Sequence, residues 1–175
     1  MRMKVKGLAY FVLAIVAIIV VLKTLNWLPT VLQEGMLRPY GSIEEVKSKL
    51  NIKDLYVPSY FPQSITWPPS KILAQTRPSF ATLLIFNRPG GEDPALVISQ
   101  TVSERFPADM IIKIVQIKER VPYQLDGRKA LLEVGFCEKD KPCSRISWIE
   151  GTYTITITMK SQPFDLIQIA KSMFP

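Results

Sequence analysis

The sequence predicts an α+β protein: a single N-terminal transmembrane helix, then an antiparallel β-sheet of six or seven strands packed by two helices. Three observations predict it. Residues 7–28 form an apolar run broken by one charge, Lys23. From Ile72 to Met159 the chain reads as β-rich runs separated by turn residues. Two amphipathic helical patterns lie before and after those runs and not between them, so the helices are segregated from a meander of strands.

The run from Gly7 to Leu28 holds 22 residues. As a helix it spans about 33 Å, enough for the hydrocarbon core of a bilayer. Lys23 and Trp27 sit near its far end, where an ammonium reaches the headgroups and an indole suits the interface. Arg2, Lys4 and Lys6 precede the run with no acid among them. The positive-inside rule then leaves residues 1–6 as a cytoplasmic tail and places the rest beyond the membrane. A cleaved signal peptide has the same basic and apolar parts. The length of the run and the absence of a small-residue cleavage site favour a retained anchor.

Residues 29–41 read as a juxtamembrane linker with Pro29, Gly35, Pro39 and Gly41, and with a short helical piece at 30–37. Residues 42–175 read as one extracytoplasmic α+β domain of ordinary size. Ser42 and Glu45 form a capping box, and Ile43, Val46 and Leu50 share a face behind it, so Ser42–Leu50 is a short helix. Leu55–Val57 is strand-like, and Pro58, Pro62, Pro68 and Pro69 make the next stretch irregular. Tyr56, Tyr60, Phe61 and Trp67 crowd there. They either cap one end of the core or line a groove for an apolar ligand.

Ile72–Gln75, Phe80–Asn87 and Ala95–Val102 are strands, the last two joined by the turn Arg88–Pro94. The alternation from Ile112 to Glu119 begins another, which Val121–Leu125 continues past Pro122 to the turn Asp126-Gly127. Lys129–Phe136 and Ser144–Ile149 form a hairpin around Cys137 and Cys143. After Glu150-Gly151, Tyr153, Ile155, Ile157 and Met159 alternate with threonines, which predicts one buried face and one wet or groove-facing face. Pro163 then opens a helix whose Leu166, Ile167, Ile169, Ala170 and Met173 are apolar.

The formal charge of +7 suggests nucleic acid until its distribution is read. Residues 1–28 carry four bases and no acid, leaving 18 bases against 15 acids beyond, interspersed. No nucleic-acid partner is expected. The expected partners are the bilayer and membrane-protein subunits, with a lipid ligand as an alternative. Cys137 and Cys143 flank a charged loop of five residues, on the side where disulfides persist, and a structural bridge is expected. The chain has no histidine, which removes Ser–His and Cys–His pairs and the usual zinc sites. No nucleotide-binding or hydrolase motif is present. The expectation is a protein that is not an enzyme, with no catalytic residue, no cofactor and no metal.

The second half resembles a known family: the extracytoplasmic domain at the C-terminal end of many membrane-bound anti-sigma and sporulation-related proteins. The matching pieces, in order, are Pro58-Ser59-Tyr60-Phe61-Pro62, then Ile98-Ser99-Gln100-Thr101, then Trp148-Ile149-Glu150-Gly151-Thr152-Tyr153, and last Ile169-Ala170-Lys171-Ser172-Met173. The resemblance implies the curved half-barrel of periplasmic lipoprotein carriers. Two departures stand out. Anti-sigma factors carry a cytoplasmic domain, and only six residues precede the apolar run here. Soluble carriers diffuse, and this chain reads as tethered. The function expected is a single-pass binding or scaffolding module at a bacterial inner membrane, an accessory subunit of a larger complex. The alternatives are a lipid- or lipoprotein-binding domain, or a signal-sensing domain acting through a lateral partner.

Overall fold

The structure, a computed structural model, describes residues 13, 15–23, 37–52, 54–77, 79–102 and 111–174. The chain divides into two units, Met1–Met36 and Leu37–Pro175. In the first, residues 15–23 are helical (α1) with exposed apolar side chains. Among the described residues no helix is long and apolar enough to cross a membrane. Most of the expected span at 7–28 lies outside the described residues, as do Trp27, the tail at 1–6 and linker residues 29–36.

In the second unit an eight-stranded, wholly antiparallel sheet carries the fold. Its strands are β1 (Arg38–Tyr40), β2 (Lys71–Gln75), β3 (Ala81–Asn87), β4 (Pro94–Thr101), β5 (Gln116–Leu125), β6 (Arg128–Phe136), β7 (Pro142–Glu150) and β8 (Tyr153–Met159). Their spatial order is β1-β2-β3-β4-β8-β7-β6-β5. Two four-stranded meanders are thus joined at one seam, β4 against β8, where Ile98 faces Ile157. The strand beyond the expected six or seven is β1. In the sequence it reads as linker because Pro39 and Gly41 punctuate it. Three residues suffice to pair Tyr40 with Ile72 at a sheet edge, where proline's missing donor costs no ladder bond.

Helix α2 (Ile43–Leu50) begins where the sequence places it. Ser42 Oγ accepts from the Glu45 amide at 3.1 Å. The Glu45 carboxylate reaches one residue further back than expected and accepts from the Gly41 amide at 2.6 Å. Helix α3 (Pro163–Lys171) starts at its proline. Helix α2 packs on β1 and β2, and α3 on β7 and β8. Under them runs a register row, Ile72–Leu84–Ile98–Ile157–Ile146–Leu132, one residue from each of six adjacent strands and all buried. Val46, Leu166, Ile169 and Ala170 close on it from the helices at zero exposure.

The other sheet face is buried too where β8 nears the cysteine loop, which corrects the expectation of a wet or groove-facing threonine face there, while Ile149 on the same face is 69 % exposed. Thr156 is 7 % exposed and Thr158 1 %. Leu83, Ile85 and Val97 of this face pack with Ile112, Ile114, Cys137 and Cys143. This explains a second correction. Residues 111–115 alternate like a strand but form none; they lay Ile112 and Ile114 onto that face, and β5 begins only at Gln116. The register then slips between Ile117 and Glu119.

A third correction concerns Leu55–Val57, which is not a strand. Its backbone partner is a side chain: Gln100 Oε1 accepts from the Tyr56 amide at 3.0 Å, and Gln100 Nε2 donates to the Tyr56 carbonyl at 2.6 Å. Further along, the Ser59 amide and hydroxyl both donate to the Ser172 carbonyl, tying the proline-rich stretch to the end of α3.

Candidate functional site

The antiparallel order brings five strand ends together: the starts of β4, β5 and β7 and the ends of β6 and β8. A cavity of about 390 Å³ lies at this end of the sheet. Each lining group comes from the chain beside one of those strand ends. Asp93 precedes β4, Ile111–Lys113 precede β5, Cys137–Lys141 join β6 to β7, and Lys160 follows β8.

The loop between β6 and β7 is held tightly. Cys137 and Cys143 are disulfide-bonded, with Cα atoms 5.6 Å apart, as the sequence leads one to expect. The Cys137 amide donates to the Lys141 carbonyl at 2.8 Å. Between them Lys139 and Asp140 adopt left-handed backbone, φ 61° and 54°. Two successive non-glycine residues in that region each cost about 1 kcal/mol, so the closed ring of covalent and hydrogen bonds must impose the turn. On the opposite side of the seam, Arg88 Nη2 donates to the Lys160 carbonyl at 3.0 Å, fixing the chain where Lys160 leaves the sheet.

Among the described residues four lysines (113, 139, 141 and 160) line the cavity, against two carboxylates, Asp93 and Glu138. Among the described residues none of these ammonium groups makes an ion pair. Ammonium donors in such excess hold anions by charge and hydrogen bonding.

Next to this end, on the same sheet face, one register row runs Thr158–Arg145–Glu133–Arg120 across β8, β7, β6 and β5. Glu133, 6 % exposed, meets Arg145 at 3.2 Å and Arg120 at 2.6 Å. Burial lowers the Arg145 pKa from its ordinary value.

The four aromatics singled out in the sequence fall into separate ring contacts. Tyr56 meets Tyr153 edge-on at 6.5 Å, and burial raises its phenol pKa. Phe61 and Trp67 join Phe86, with centroids 5.0–6.1 Å apart. Tyr60 is 45 % exposed and its amide donates to Ser172 Oγ. None of the four lines the lysine cavity. Lys23 is helical and exposed in the first unit. Sequence reasoning missed the convergence of Lys113, Lys160 and Asp93 on the cysteine loop. The loop's own charges were legible, but the others reach it only through the β4–β8 seam.

Comparison with protein-family models, with curated proteins and with solved structures found no match to this chain.

Proposed function

We propose that this chain is a membrane-anchored extracytoplasmic binding or scaffolding module, an accessory subunit of a larger complex at a bacterial inner membrane. In this reading it spans the bilayer once, with its N-terminus in the cytoplasm, and it acts by binding, without catalysis. The observation that carries the proposal is the cavity at the disulfide hairpin. A binding surface needs a fixed concave wall, and here a covalent bridge, a backbone hydrogen bond and five strand ends supply one. The bridge also suits an oxidising compartment, which agrees with the orientation read from Arg2, Lys4 and Lys6.

The carrier-like alternative needs an apolar groove between sheet and helices. In that layer α3 inserts Leu166, Ile169 and Ala170 at zero exposure, so packed side chains occupy the place the groove would need. The anchored-module reading is therefore preferred.

Native mass spectrometry of the chain extracted from its own membrane in mild detergent tests it. The expected result is a stoichiometric complex with other membrane proteins. A bare monomer under conditions that keep known complexes intact would overturn the proposal.

A further inference from the structure

We infer that the lysine cavity is a binding site for a phosphate-bearing anion larger than orthophosphate. The inference deepens the binding-module reading and rests on it. Size comes first. A volume of about 390 Å³ has room for roughly a dozen waters, which exceeds a single phosphate. Charge comes second. Lys113, Lys139, Lys141 and Lys160 reach one cavity from three separate stretches of chain, and among the described residues Asp93 and Glu138 are the carboxylates that oppose them. Like charges gathered in this way repel one another, and a multivalent anion relieves that repulsion while accepting their hydrogen bonds.

Rigidity comes third. Lys139 and Lys141 belong to the loop closed by the Cys137–Cys143 bridge, and Lys160 follows the innermost seam of the sheet. Their backbones are therefore set before any ligand arrives, which limits the ordering cost of binding. The apolar part of the lining, Ile111 and Ile112, gives the cavity one side that does not compete for the anion. The same chemistry occurs on a soluble diphosphate and on the headgroup of an anionic phospholipid.

The test uses the full chain, 15N-labelled, in a neutral detergent. Inorganic pyrophosphate, dihexanoyl phosphatidylglycerol and dihexanoyl phosphatidylcholine are titrated separately. The expected result is saturable amide shifts at Lys113, Glu138–Lys141 and Lys160 with at least one anionic probe. The double variants Lys139→Asn/Lys141→Gln and Lys113→Gln/Lys160→Gln should each weaken that binding at least tenfold. Lys71→Gln, on β2 outside the cavity, should change it less than twofold. The amide spectrum of each variant reports whether it is folded.

Pyrophosphate binding without phosphatidylglycerol binding supports a soluble ligand, and the reverse supports a lipid headgroup. No saturable shift with either anion would overturn the inference. So would equal losses in Lys71→Gln, or phosphatidylcholine binding as tight as that of the anions. The two proposals fail separately: a bare monomer that still binds pyrophosphate removes the accessory-subunit reading alone, and a stoichiometric complex that binds no anion removes the cavity reading alone.

Discussion

Gly135 has no room for a side chain. A Cβ there would stand 2.0 Å from the Gln116 carbonyl oxygen, because β5 crowds β6 where its register slips. Backbone and not a flexible side chain is in the way, so Gly135→Ala should cost about 3 kcal/mol, near the upper end for overpacking. A fall in the thermal midpoint by circular dichroism would show it, and an unchanged midpoint would refute the contact. At Glu45, hydrogen bonding from Lys49 first and from the Gly41 amide second holds the carboxyl below the usual carboxylate range. Lys49 is correspondingly raised by Glu45. A lowered acid pKa stabilises above its unfolded value and ceases to as pH falls through the folded one. The raised lysine contributes below its unfolded value and stops doing so as pH rises through the folded one. The α2 cap should therefore hold between about pH 5 and 10 and loosen outside that window. Carboxyl carbon shifts of Glu45 followed by NMR should give a midpoint below about 4.3. A midpoint at or above that value would contradict the cap. The two residues do not announce themselves equally in the sequence: the capping box is a local pattern, whereas Gly135 owes its role to Gln116, nineteen positions away.

Among elements, those set by local chemistry were legible and those set by distant partners were not. Both helices of the domain start where capping and proline rules put them, and β8 follows its threonine alternation. Residues 111–115 carry the same alternation yet form no strand, because Ile112 and Ile114 bury against a second sheet face whose existence no local pattern discloses. The Tyr56 stretch goes unpaired with any strand because Gln100, near the end of β4, supplies both of its hydrogen bonds. Gln100→Leu should strand a buried donor and acceptor at a cost of about 2 kcal/mol, and the Tyr56 amide should lose hydrogen-exchange protection. Protection unchanged from the native chain would count against this account. Pro122 also finds its reason at this scale. Counting back from the two-residue turn Asp126-Gly127, its pairing with Leu131 is of the wide, non-hydrogen-bonded type, so its nitrogen points away from β6. The free edge of β5 thereby lacks a central donor, which discourages a second chain from adding to it.

For the molecule as a whole, the sequence yields the class and the covalent staple but not the site. Cys137 and Cys143 were legible because their spacing closes a hairpin. Their common cavity with Lys113 and Lys160 was not, since 47 residues separate those two lysines and only the completed sheet unites them. Replacing both cysteines by serine should remove about 2 kcal/mol, the loop-entropy contribution of so short a ring. Urea unfolding of the double variant beside the native chain would measure it, and coincident midpoints would show the bridge to be dispensable. The β4–β8 seam has a consequence for how the chain is made. A ribosome delivers β4, with Ala95, Leu96, Val97 and Ile98 along it, some sixty residues before the strand that covers its edge. Until β8 arrives, the first meander ends in a bare, apolar, hydrogen-bonding border of the kind that recruits other chains. Synthesis therefore has a vulnerable interval that closes only when the last strand is in place. A nascent chain stalled before Thr152 should be the most aggregation-prone form of this protein, and a holding chaperone would find its target on β4.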